Sequence, residues 1–287
     1  ALDSWSKNSQ NSQLLADPSQ PRMQYGNSDQ DIRHRFRLSP TYQIPGMKSP
    51  AQLLEGWSLS GVLSIQGGLP WGPVDSTTND FVGTGEIKNS FVASPNTGIV
   101  QYWNFTGPQS AFTSGVAQLP CYGALSGCTP LSFTAANSSL SSTLAPIQAA
   151  CITAAQAPYT GNAQQMQLAL ASLVNNACYI QNGGVLTPPA YGTVGNSGRN
   201  IFRGPGFWNA DMSVNKNWKI GERYSAQFRA EFFNILNHPN FSGPVAIDPT
   251  KGLTGVFGYT NQTPDNGNPV FGSGGPRHIQ FGLKVSF

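Results

Sequence analysis

The C-terminal stretch Arg277–Phe287 constrains the fold more than any other part of this chain. Ile279, Phe281, Leu283, Val285 and Phe287 alternate with His278, Gln280, Gly282, Lys284 and Ser286. Successive side chains of a strand point to opposite faces, so this stretch has one apolar face and one polar face. Four other segments share the pattern. Tyr224, Ala226, Phe228, Ala230 and Phe232 oppose Ser225, Gln227, Arg229 and Glu231. Just before them, Trp208, Ala210, Met212, Val214, Trp218 and Ile220 share a face that Lys216 interrupts, against Asn209, Asp211, Ser213, Asn215, Asn217 and Lys219. Arg33–Ile44 sets Phe36, Leu38, Tyr42 and Ile44 against Arg33, Arg35, Arg37, Ser39, Thr41 and Gln43. Gly56–Gly67 sets Trp57, Leu59, Gly61, Leu63 and Ile65 against Ser58, Ser60, Val62, Ser64 and Gln66. Trp5 and its neighbours are expected to end a further strand.

The make-up of the faces narrows the fold class. A soluble sandwich also alternates, but its inner face favours bulky aliphatics. Here the apolar faces mix Ala, Gly, aromatics and aliphatics, and the polar faces carry Arg, Asn, Gln and Glu, as a water-filled lumen requires. Charged residues make up 10% of the chain, against roughly 25% in soluble domains. The 16 basic residues are scattered and the net charge is +3, so no nucleic-acid partner is expected. No apolar run reaches the ~18 residues of a membrane helix, whereas a tilted barrel strand needs only about 9 to 11 residues. The opening residues Ala1–Trp5 lack the basic region and apolar core of a signal peptide.

Connection lengths give the strands a direction. Counting back from the C-terminus they run long (237–276), short (221–223), very long (68–205), short (45–55) and long (8–30). Outer-membrane barrels have short periplasmic turns and long extracellular loops. The assignment places Tyr42, Trp57, Trp218, Tyr224 and Phe287 at the periplasmic interface and Trp208 at the opposite one. All stand on apolar faces, as aromatic girdles do. Lys216 falls near the periplasmic end, where a long side chain is expected to snorkel to the interface. The lumen faces carry Arg33, Arg35, Arg37, Asp211, Lys219, Arg229 and Glu231. Ion pairs among Asp211, Glu231, Arg229 and Lys219 are the simplest expectation. The three-arginine stripe either pairs with acidic residues on neighbouring elements, the favoured reading, or guides an anionic solute. His34 and His278 fall at extracellular strand ends.

The middle of the chain differs. Ser142–Gln156 and Asn162–Asn176 are rich in Ala, Gln and Leu and suit two short helices. All four cysteines, Cys121, Cys128, Cys151 and Cys178, lie here, and none falls in a candidate strand. An even count in a loop-rich region suggests disulfides in an oxidising compartment. A Cys151–Cys178 bridge would staple the helices into a hairpin, and Cys121–Cys128 would close a local loop, although four cysteines allow three connectivities. No metal site is expected, since there is no CxxC pair and His34, His238 and His278 lie far off in sequence. No GxSxG or HExxH motif occurs. The glycine-rich run Phe271–Pro276 lacks the Lys-Ser/Thr ending of a phosphate loop, so it suits a turn. Neither catalysis nor a cofactor is expected. Asn104-Phe105-Thr106 and Asn137-Ser138-Ser139 match glycosylation sequons, a pattern of little meaning in a bacterial protein.

Several stretches resemble the late barrel of Oar-like TonB-dependent receptors. They are Asp31–Phe36, Gly56–Gly61, Gly198–Gly206 running into Asn209–Ser213, Gln227–Phe241 and Gly275–Phe281, in that family's order. The likeness covers about half the chain, from near residue 31 to the end, and is specific in combination. It implies a 22-stranded barrel with an N-terminal plug, a carboxypeptidase-regulatory-like domain and a TonB-contacting segment. The expected fold is therefore all-β and membrane-bound: the C-terminal antiparallel strands of a large outer-membrane barrel spanning 1–287. Residues 68–205 are expected to form a long extracellular loop with short helices, and the plug is expected to be absent. Five or six strands cannot close even the smallest barrels, of about eight, which suggests a fragment or truncated product. The expected location is the outer membrane of a Gram-negative bacterium. The expected partners are its lipid, the remaining barrel and plug, TonB through the missing part, and the barrel assembly machinery. The last would read Phe281, Leu283, Val285 and Phe287. The expected function is TonB-dependent import of a bulky solute. A passive porin or surface-adhesion barrel, or a secreted soluble β-sandwich, are the alternatives.

Overall fold

A computed structural model describes residues 13–14, 25–28, 31–75, 98–99, 101–112, 119–131, 146–241 and 275–287. The expected strand at Trp5, most of the 237–276 connection and residues 271–274 of the glycine-rich run lie outside the described residues. The chain divides into two compact units, one holding 32–68, 205–242 and 261–287, the other 1–31, 69–204 and 243–260.

The first unit is a single antiparallel sheet. Its strands are β2 (Arg35–Leu38), β3 (Thr41–Gln43), β4 (Trp57–Gln66), β14 (Phe207–Ile220), β15 (Tyr224–Phe233) and β16 (His278–Ser286). They run in the order β16-β15-β14-β4-β2, with β3 also on β4. The single expected strand Arg33–Ile44 is thus two. Leu38 faces Leu63 and Thr41 faces Ser60, so the register is unbroken. Pro40 has no N–H to donate at this point of the ladder, although its carbonyl still accepts from Gly61 N at 2.9 Å. Arg33 lies in the bend before β2 rather than in a strand. Gly221-Glu222-Arg223 closes the β14–β15 hairpin, in which Ile220 faces Tyr224.

The second unit is not a plain loop. Its strands are β1 (Gln13–Leu14), β5 (Pro70–Trp71), β6 (Val74–Asp75), β7 (Gly98–Ile99), β8 (Gln101–Tyr102), β9 (Asn104–Thr106), β10 (Cys121–Gly123), β11 (Ala177–Gln181), β12 (Gly184–Thr187) and β13 (Phe202–Arg203). A four-stranded sheet runs β10-β11-β12-β9, and the pairs β1–β7, β5–β13 and β6–β8 form separate two-stranded ladders. Helices α1 (Pro146–Gln156) and α2 (Ala163–Asn175) fall where the Ala/Gln/Leu composition puts them. Asn162 caps α2, its side chain accepting from Gln165 N at 3.1 Å.

This unit has its own aromatic core. Trp71, Trp103, Phe112, Tyr179, Leu186 and Phe202 are buried together, and the Phe202 ring lies 5.0–5.1 Å from those of Phe105, Phe112 and Trp71. Such rings bring large apolar area into a small unit. Disulfides join Cys121 to Cys128 and Cys151 to Cys178. Two of these cysteines are in strands, contrary to the sequence reading. Cys121 begins β10 and Cys178 sits in β11. These strands are too short for alternation to reveal them. The Cys151–Cys178 bond therefore ties α1 to a sheet strand instead of stapling two helices, and it lies in a second buried cluster with Ile152, Ala155 and Leu173.

Candidate functional site

The candidate site is the six-stranded sheet, whose two faces are continuous across the strands. On one face Phe36, Ile65 and Trp208 share a row, and Leu59, Val214, Ala230 and Phe281 share another. Phe228 and Phe281 stack with ring centres 6.1 Å apart. This face is uncovered at the C-terminal strand, with Phe281 69% and Leu283 71% exposed, and Val285 and Phe287 also exposed. Among the described residues of this unit no second sheet covers it, as a sandwich would require.

The aromatics fix an orientation. Tyr42 is level with Val214, both opposite Leu59. Ile220 faces Tyr224, and Ser225 faces Ser286, so Phe287, just past the end of β16, falls level with Tyr224 by the same register. The line Tyr42, Trp57, Trp218, Tyr224, Phe287 thus steps steadily along the sheet. From Tyr42 to Phe287 it crosses four strand spacings, about 19 Å, and slides from the level of Val214 to that of Ile220, about 20 Å. Strands tilted by roughly 45° bring these rings into one plane, near the tilt of membrane barrels. At that tilt Trp208 and Trp218, about 34 Å apart along β14, are separated by about 24 Å in height, close to the ~25 Å apolar band of such barrels.

On the opposite face hydrogen bonds link strand to strand. Arg35 Nη2 donates to Gln66 Oε1 (3.2 Å), and Arg229 Nε donates to Asn215 Oδ1 (3.1 Å). Arg229 also pairs with Glu231 at 3.4 Å. Arg33 and Arg37 are exposed. The other expected ion pairing does not form. Asp211 accepts from Asn209 Nδ2 (2.8 Å) and from Asn234 N (2.9 Å) instead. Lys219 lies eight residues further along the same strand, roughly 27 Å away.

Side-chain amides finish both ends of β14, which the sequence reading missed. Gln52 Nε2 donates to Lys219 O (2.7 Å) and its Oε1 accepts from Lys219 N (3.0 Å). At the far end Asn240 Oδ1 accepts from Trp208 N (2.8 Å) and Asn240 Nδ2 donates to Trp208 O (2.9 Å). Each amide acts as one residue of a neighbouring strand, satisfying backbone groups where β4 runs out at the Lys219 end and where β15 runs out at the Trp208 end. Asn234, with φ 47°, donates to Gly275 O (2.7 Å) and His238 O (2.8 Å). The His238 ring packs on Trp208 with centres 4.0 Å apart. His34 is exposed, and His278 begins β16.

Lys216 does not snorkel to water. It is 0% exposed, and its Nζ donates to the carbonyl oxygens of Gln52 and Glu55. It also lies 5.5 Å from the centre of the Trp57 ring and 5.1 Å from that of Trp218. The reason is the connection 44–56, which folds over this face and brings its carbonyls to the ammonium group. Gly56 makes the approach possible: its φ is +76°, and a Cβ there would lie 2.4 Å from Asn217 O. Among the described residues no cluster of His, Cys, Asp or Glu suits a metal ion, and no helix is long and apolar enough to cross a membrane.

An uncovered apolar face, a polar face opposite, and aromatic rings at two levels about one membrane apart define a membrane-spanning antiparallel sheet. A family model described as an outer membrane beta barrel domain matches residues 1–125 and 122–280, and the chain belongs to that family. No curated protein and no solved structure matches it.

Proposed function

We propose that this outer-membrane barrel protein takes part in active, TonB-energised import of a bulky solute across the outer membrane of a Gram-negative bacterium. The observation carrying the reading is the sheet, whose edge strands β16 and β2 have no further neighbour among the described residues. Open edges in lipid leave backbone groups unpaired, so the sheet belongs in a wider barrel. A wide barrel leaves a lumen able to pass bulky solutes, and a lumen that wide needs gating. The likeness to Oar-like receptors in Gly198–Gly206 and Gln227–Phe241 supplies the TonB component. Lipid, further barrel strands, a plug, TonB and the barrel assembly machinery are the partners on this reading. No catalytic step, cofactor or nucleic acid enters it.

The second reading is a passive porin or surface-adhesion barrel. It is favoured by the disulfide-bonded unit on the 69–204 side, which is folded enough to act as a binding element. Photo-crosslinking in cells and conductance in planar bilayers separate the two. An importer crosslinks to TonB and does not conduct when its partners are absent. A steadily open channel without TonB crosslinks contradicts the import reading.

A further inference from the structure

The unit built around residues 69–204 contains a cavity of about 470 Å³ lined by Tyr25, Asn27, Asp31, Gln109, Ser197 and Arg199, among others. That size is within the usual range of small-molecule sites. Its wall is held in shape by bonds between distant parts of the chain. Asn27 Nδ2 donates to Asn200 O (3.0 Å) and Asn200 Nδ2 returns a bond to Asn27 O (2.9 Å). Arg203 Nη1 donates to Asp31 O (2.6 Å), and its Nη2 pairs with the Asp31 carboxylate. Gly26 fits against Arg199, whose carbonyl oxygen would lie 2.3 Å from a Cβ at this position.

One lining group is unsatisfied. Ser197 is 7% exposed, and among the described residues its Oγ has no hydrogen-bond partner. A buried hydroxyl without a partner forfeits the bonds it makes in water, so an occupant that bonds it is favoured. Tyr25, also in the lining, is 81% exposed, so its ring is open to solvent.

We infer that this cavity binds a neutral saccharide. The lining is rich in amides and hydroxyls, which donate and accept toward neighbouring hydroxyl groups of a sugar. An exposed tyrosine ring packs on the C–H face of a pyranose. The lining carries one carboxylate and one guanidinium, so it has no surplus of charge for a multiply charged ligand. The inference holds whether the sheet belongs to an importer or to a passive barrel.

The test is to screen the purified full chain in detergent on a printed array of neutral and acidic di- and trisaccharides. Affinity for the best neutral sugar is then measured by saturation-transfer NMR. Tyr25→Ala is expected to weaken binding about tenfold and Ser197→Ala about fivefold, while Tyr25→Phe retains it. Because Tyr25 is exposed, its truncation leaves the core intact, and non-reducing mass mapping checks that both disulfides survive. Binding of no sugar, of acidic sugars only, or equally by all variants overturns the inference.

Discussion

At the scale of the residue, Lys216 is the most informative position. It stands on the apolar face, where a bare ammonium group in lipid costs about 2–4 kcal/mol at mid-membrane and less near the interface. Two carbonyls and two tryptophan rings offset that cost. Lys216→Ala removes the group that holds the 44–56 connection down, and is expected to destabilise the protein by about 2 kcal/mol. The measure is the temperature at which the folded band disappears in heat-modifiability gels of isolated outer membranes, and an unchanged temperature speaks against the assigned role. Gly56→Ala is expected to lower the same temperature, at a cost of about 1–3 kcal/mol, because it forces a side chain into a positive-φ position against Asn217. In the sequence Lys216 is visible only as an interruption of an apolar face. Its partners are backbone carbonyls of another segment, and such groups leave no mark in residue identity.

At the scale of the element, β14 depends on what closes its ends. Asn240→Ala is expected to leave the strand in place but to free the Trp208 amide, raising its hydrogen-exchange rate about tenfold. The amides near Val214, paired on both sides, should not change. In the other unit, replacing Cys151 and Cys178 by serine opens a link between residues 27 apart, worth about 3–4 kcal/mol by loop entropy. Limited proteolysis should then cut between α1 and β11 faster than in the parent, and equal rates would contradict the role given to the bond. The long strands were legible because strict alternation over nine or more residues fits a two-faced strand and no helix, as β14, β15 and β16 show. The helices were legible from composition, while the Asn162 cap shows only in the structure. The strands β9 to β12, of three to five residues, were not, since runs this short hold too few residues for alternation to stand out. The family-like stretch around Asn234 and Asn240 was legible as a resemblance, while its physical role, closing a strand end with side-chain amides, depends on geometry.

At the scale of the molecule, the sheet has one face for lipid and one for water, and its aromatic line sets the tilt at which it crosses. The cavity carries its evidence in a different form, an orphaned hydroxyl and an exposed ring from distant segments, and no periodicity in the sequence points to it. The sheet is the central claim, and β16 tests it directly. All four native cysteines are bonded, so a single introduced cysteine takes up a spin label alone. Labels placed in turn at 279 to 285 in native outer membranes report collision with oxygen, which concentrates in lipid, and with a water-soluble nickel complex. Positions 279, 281, 283 and 285 are expected to favour oxygen, and 280, 282 and 284 the nickel complex. Equal accessibility along the strand, or water contact at 281 and 283, would contradict a membrane-spanning sheet.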